Sequence, residues 1–183
     1  MAVPTPRTWV ASEFETAAIM NGDIRDTFNF LMQPPRAFAY RSAALTLTTA
    51  VWTLVGLDAE VYDPYATPAH DNTTNNSRMV AAETGLYVVN LKIRFNGGAG
   101  MVGNRFFELR KNAAGSQVAG TLVTTQVVGA VITNSTTINE TVEVQLNATD
   151  YLELFGQHTQ GANLGLTTGP DSTFLQMRWV SKQ

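Results

Sequence analysis

Two periods of apolar and polar positions divide the chain. From Phe14 to Leu31 the positions Phe14, Ala17, Asn21, Ile24, Phe28 and Leu31 recur in an unbroken 3-4-3-4-3 spacing, which Pro34 and Pro35 end. This spacing predicts one helix, opened by a capping box in which Ser12 accepts from the first turn and Glu15 reaches back. Asn21 then occupies an a-type position of a heptad seam. A helix this short, carrying Gly22, should not stand alone in water. Two arrangements are open: a trimeric bundle with Asn21 on the three-fold axis, or a single amphipathic helix packed on its own domain or on a partner.

Beyond the double proline the period is 2. Tyr87, Val89, Leu91, Ile93 and Phe95 alternate with Val88, Asn90, Lys92 and Arg94, the pattern of a strand with one buried face. Val142, Val144 and Leu146 alternate in the same way, as do Leu152 and Leu154 about Glu153. Shorter runs at 37–40, 51–55, 106–109, 122–128 and 174–180 predict further strands, separated by turn formers at 71–77, 96–100, 112–116, 133–137 and 169–172. Eight or more strands with no helix between them predict an all-β sandwich or jelly roll. The domain reading is an N-terminal arm and helix over 1–36 and a β-domain over 37–183.

Composition narrows the function. The chain has 183 residues, 12 basic against 15 acidic, so nucleic acid is not an expected partner. Without cysteine, disulfides, thiolate metal sites and thiol nucleophiles are excluded. Charged residues make up 15% of the chain, against about 25% in an average domain, while 24 threonines and 13 asparagines favour strands and turns. Residues 1–10 lack the basic and apolar regions of an export signal, and the longest apolar run, 127–132, falls short of the ~20 residues of a membrane span. The expectation is a protein made soluble in the cytoplasm, with no membrane partner.

Catalytic chemistry has few carriers. His70, beside Asp71, is read as a solvated loop residue, and His158 has no second histidine at metal-ligand spacing. Asp58, Glu60 and Asp63 could offer oxygens to Ca²⁺, but the spacing is not an EF-hand loop, and no metal or cofactor is assigned. Gly97-Gly98-Ala99-Gly100 opens no helix and is read as a hairpin loop, not a phosphate cradle. Five N-x-[ST] triplets are what a Thr- and Asn-rich chain produces by chance. No catalytic residue is assigned, and external contacts are expected from the loops 72–77, 96–103 and 157–169.

Several stretches together resemble the C1q/tumour-necrosis-factor jelly rolls: Ala37-Phe38-Ala39-Tyr40, Ala82 to Tyr87, Val142 to Leu146 followed by Asp150 to Leu154, and Ser172-Thr173-Phe174 with Leu175, Met177 and Trp179. Val89, Thr149 and Gln176 depart from the family's usual residues. The resemblance implies a C1q/TNF-like jelly-roll sandwich and a homotrimer whose protomers bury apolar and aromatic faces around a three-fold axis. The front of the chain resembles something else. Thr8-Trp9-Val10, Glu13, Thr16-Ala17, Asn21, Ile24-Arg25-Asp26 and Leu31 before Pro34-Pro35 are similar to an arm found on small virion proteins of tailed phages, actinobacteriophages in particular.

That second resemblance implies a non-enzymatic virion structural protein, attached to other virion proteins through Pro4, Pro6 and Trp9 and oligomerised through Phe14, Ala17, Asn21, Ile24, Phe28 and Leu31. It would sit at the tail, as a minor tail or fibre protein touching a host surface glycan or protein, or on the capsid as decoration or head fibre. The alternative is an autonomous C1q-like trimeric binding or signalling module.

Overall fold

The computed structural model describes residues 3–5 and 7–182. Two antiparallel sheets form a sandwich. The strands are β1 (Arg36–Tyr40), β2 (Thr46–Leu47), β3 (Thr53–Leu54), β4 (Ala59–Tyr62), β5 (Arg78–Val80), β6 (Gly85–Phe95), β7 (Asn104–Lys111), β8 (Thr121–Gly129), β9 (Thr136–Leu146), β10 (Tyr151–His158), β11 (Leu164–Gly165) and β12 (Phe174–Ser181). One sheet has the order β4-β1-β12-β6-β9; the other has β3-β10-β7-β8, with β5 also pairing to β10; β2 and β11 form a short separate ladder. Placing the first and last strands of the domain side by side at the centre of one sheet gives a jelly roll.

The alternation in β6 works as its period requires. Tyr87, Val89, Leu91, Ile93 and Phe95 are all buried, and they meet Phe107 and Leu109 of β7 and Leu152 and Leu154 of β10 in one core. Ala37 and Ala39, and Leu175 and Met177, extend the same inward face across β1 and β12. The Val51–Val55 run yields only the two-residue β3.

The hairpin expected at Gly97–Gly100 does not form. β6 pairs with β12 and β9, whereas β7 lies in the opposite sheet, so the loop crosses the top of the sandwich. Its glycine is required by a close approach: a Cβ on Gly97 would lie 2.2 Å from the backbone of Asn134 and Ser135. The polar face expected for Glu153 is also overturned. This side chain is 1% exposed and accepts from Ser77 Oγ, Arg78 Nε and the amide of Gly115. β10 lies inside its sheet, with β7 on one side, β3 and β5 on the other, and the 112–116 turn covering its outer face.

The front helix departs furthest from its predicted form. Ser12 has a left-handed backbone (φ +66°) in a turn where Glu13 N donates to Val10 O, so the Ser12/Glu15 capping box is absent. Thr16 caps instead, its Oγ1 accepting from Ile19 N, and the helix runs as α1 (Ala17–Met20), a π-helical turn over Asn21–Arg25, and α2 (Asp26–Met32). The wide turn inserts an extra residue and rotates everything after it, so the single heptad seam from Phe14 to Leu31 is broken at Asn21. Phe14 lies outside the helix and is 91% exposed, and Ala17 and Asn21 are exposed as well. Ile24, Phe28 and Leu31 keep a common stripe on the outside. The helix packs on its own domain through Phe30 instead, buried edge-on between Trp179 at 4.9 Å and Tyr65 at 6.4 Å.

Candidate interaction surfaces

Two ends and a side organise the polar groups. Gly85 of β6 pairs with Leu146, near Trp179 and the docked helix, which defines the arm end; Phe95 pairs with Thr136 and bridges to Leu166 at the far tip. The 63–77 loop runs along the side, over the open edge between β4 and β5. The three loops expected to make contacts therefore separate, with 96–103 and 159–169 at the tip and 72–77 on the flank.

His70 belongs to that flank and is not solvated. It is buried, with Nδ1 2.8 Å from Arg78 O and Nε2 2.9 Å from Leu57 O, so the ring staples the loop to β5 and to the segment between β3 and β4. Asp71 beside it is exposed and held down to about 2 by the amides of Thr74 and Thr73, an Asx turn rather than an acid/base partner. The carboxylates considered for Ca²⁺ do not converge on one point. Asp58 accepts from the amides of Ser42 and Ala43 at 2.6 and 3.1 Å. Burial pushes its carboxyl up, but those amides and the Arg41 guanidinium together outweigh burial and hold it below the usual range. Asp63 accepts from the amides of Ala69 and His70, and burial still leaves it raised. Glu60, on β4, is raised chiefly by burial. Among the described residues, no group of three His, Asp or Glu side chains is placed to hold a metal ion.

The tip is braced from beneath. Arg105 is fully buried with no carboxylate partner among the described residues; it donates to Val102 O, Asn104 O and, at 2.6 Å, Gln160 Oε1. His158 is equally buried. Its Nε2 donates to Leu47 O while Nδ1 accepts from Gln160 N, which fixes the neutral tautomer, and burial lowers its pKa. Thr159 closes the bracket against Asn104 through two hydrogen bonds. The loops above are thus anchored at their feet by groups that face inward.

Two unlike surfaces remain unpartnered on the sandwich walls. The outward face of the β4-β1-β12-β6-β9 sheet carries half-buried Phe38, Tyr62 and Phe174, with ring centroids 6.0 and 5.0 Å from Phe38. Beside them runs a chain of side-chain hydrogen bonds: Gln176 Nε2 donates to Tyr62 Oη, Asn90 Nδ2 to Gln176 Oε1, and Thr141 Oγ1 to Asn90 Oδ1. Gln176, a departure from the family pattern, has this specific work. The second surface is the open edge where β8 and β9 end their sheets. Val142, Val144, Val123 and Val128 are only partly covered there, and Leu122 is exposed.

At the arm end Val3, Pro4, Trp9, Ile24, Leu31 and Trp179 line an apolar groove of ≈ 550 Å³. Trp9 is 45% exposed and stacked by Arg7, which pairs with Glu13 and lies 3.7 Å from Asp23. Pro6, assigned with Pro4 and Trp9 to attachment, lies outside the described residues. The missed residue here is Phe30, whose apolar character is visible in the sequence but which lies off the 14–31 seam.

Solved structures with this architecture are numerous. The Eiger tumour-necrosis-factor protein of S. frugiperda matches with TM-score 0.59 at 12% identity, over 81% of this chain and 95% of that one. The fold is that of the C1q and TNF proteins. The globular domain of zebrafish complement 1qA matches at TM-score 0.55 and 8% identity over 81% and 99%, and murine APRIL at 0.59 and 12% over 80% and 98%. At these identities the likeness carries the C1q/TNF-like fold alone. No family model and no curated protein matches the chain.

Proposed function

We propose that this chain is a homotrimeric, non-enzymatic virion structural protein of a tailed phage: a C1q/TNF-like head held to the particle by residues 1–36, with its far tip outward. The observation that carries the trimer is the coexistence of an aromatic face and an unlike, half-open valine edge on one sandwich. A face that fits an edge makes a heterologous contact, and a heterologous contact is finite only when rotation closes the ring. The C1q/TNF-like fold supports three as the number that closes it.

The virion part rests on the arm. Its resemblance to phage virion proteins is supported by the exposed Trp9 and by the Ile24, Phe28 and Leu31 stripe, which stays exposed and leaves apolar surface for another chain. Tail and capsid locations use this geometry equally. The fold by itself also suits an autonomous trimeric binding module, which would need no particle.

Light scattering should return three protomers of 19.9 kDa, 59.7 kDa in all; a monomer at micromolar concentration refutes the trimer. Deleting residues 1–11 should abolish incorporation into particles while the head stays folded. Normal incorporation of the truncated chain refutes the attachment role, and labelled antibody on whole particles separates tail from capsid.

A further inference from the structure

Six of the twelve cationic side chains form no ion pair among the described residues, and four of these, Arg36, Lys92, Arg94 and Arg178, belong to the outward face of the β4-β1-β12-β6-β9 sheet. Arg36 and Arg178 stand directly opposite each other on neighbouring strands. Two like charges so placed repel. Together with Tyr62, Val88, Asn90 and Gln176 they line a cavity of ≈ 300 Å³ with no carboxylate in its wall. Tyr62 sits under the Arg36 guanidinium at 5.5 Å, and the amides of Asn90 and Gln176 are already engaged with each other. What the cavity lacks is an anion.

The row that contains the two arginines supplies one. Arg36 pairs with Arg178, Arg178 with Val88, and Val88 with Glu143, so four strands carry these residues at one level across the sheet. Glu143 is on the edge strand β9, exposed on the same outward face, and it makes neither ion pair nor side-chain hydrogen bond among the described residues. Within one protomer it stands two strands from Arg178, about 10 Å at ordinary strand spacing, and the two form no ion pair. The other acid of this edge, Glu140, is taken up by Thr124 Oγ1 at 2.8 Å.

We propose that Glu143 of one copy docks between Arg36 and Arg178 of the next, so that three identical carboxylate–diarginine clusters select the register of the ring. The inference rests on the homotrimer argued above and names its contact. Rotation about an axis that runs along the strands keeps every residue at its own height, so the β9 edge of one copy arrives at the arginine face of its neighbour with Glu143 on the arginine row. A carboxylate between two guanidinium forks satisfies both and removes their mutual repulsion. The partner is thus a second copy of this chain, recognised by charge as well as by the aromatic and valine surfaces around the cluster.

The test is a charge swap read by trimer dissociation on dilution, followed by light scattering and circular dichroism. Arg178→Glu and Glu143→Arg, both at exposed positions, should each raise the dissociation midpoint at least tenfold with the head still folded, and 1 M salt should weaken the wild-type trimer. The double variant, Arg178→Glu with Glu143→Arg, should recover most of the loss. A wild-type trimer that neither single swap weakens overturns the cluster while leaving the trimer in place. Two weakened singles whose combination does not recover also overturn the pairing. A wild-type monomer removes the trimer and this inference with it.

Discussion

Replacing Phe30 by alanine should release the helix from the head without melting the head. Phe30 is 1% exposed, and burial of a whole phenylalanine contributes about 1.5–3 kcal/mol. Each of its two edge-on contacts, with Trp179 and Tyr65, adds about 0.5–1.5 kcal/mol. The expected loss is therefore about 2.5–6 kcal/mol, which brackets the ~3–5 kcal/mol found for Phe→Ala at packed sites. No other residue of α1, the π turn or α2 is buried, and sixteen residues with a glycine do not hold a helix alone. Backbone amides from Ile19 to Gln33 should exchange at nearly the rates of unfolded chain, and Trp179 fluorescence should shift as its ring is uncovered. The thermal transition of the sandwich should move by only a few degrees, because the core of β6, β7, β10 and β12 does not include Phe30. Unchanged amide protection in the variant would refute the account that Phe30 is the anchor.

Three other outcomes follow from the same geometry. Burial holds the His158 pKa below 6.5, so below pH 6.5 the unfolded chain takes up a proton that the folded chain refuses; stability should fall by up to about 1.4 kcal/mol per pH unit until the folded-state pKa is passed, and denaturant titrations of His158→Gln should lack that component. Glu153→Ala leaves Arg78 and Ser77 without their buried acceptor and should cost about 3 kcal/mol, at the low end for a broken buried pair because Arg78 is partly hydrated, as measured by chemical unfolding. Gly85→Ala puts a Cβ 2.2 Å from Trp179 Nε1 and 2.4 Å from Ser181 O, so it should cost about 1–3 kcal/mol and loosen the helix through Trp179, visible as faster exchange at Phe30.

What was legible in the sequence divides by range. The period-2 run of β6 reports a local fact, one face in and one face out, and each of its five apolar residues is buried. The order of strand motifs was enough for the jelly roll, because that fold spreads its signatures along the chain. Glu153 misled because alternation assumes a solvated outer face, and the 112–116 turn that covers β10 is remote in sequence. His70 and His158 were opaque for the same reason, since their partners Leu57, Arg78 and Leu47 lie 8 to 111 residues away. The helix failed differently. Its spacing was regular, but the face that docks is not the seam: Phe30 stands about 200° around α2 from Phe28, and it meets the head while Ile24, Phe28 and Leu31 stay exposed. Glu143 and the arginine pair share a level only through the register of four strands, which no local pattern reveals.

The position of the helix gives the molecule a direction, and the direction sorts its surfaces. The apolar groove that residues 1–36 form with Trp179 lies at the end where β12 finishes, while the loops 96–104, 129–135 and 159–166 gather at the opposite tip. If the arm end faces the particle, the tip is what a host surface meets. That tip is held at its feet by buried Arg105 on Val102, Asn104 and Gln160, by Gly97 against Asn134, and by Thr159 against Asn104. The exposed Ala99 side chain above those feet can change without disturbing the core, whereas Met101 packs on the core and its Sδ accepts from Arg105. On the proposed reading, recognition at the tip and assembly on the sheet face would be separate problems, resting on different residues at different heights on the same sandwich. A substitution in 98–100 that altered surface binding should leave the trimer intact, and a charge swap at Arg178 should weaken the trimer without touching any tip loop.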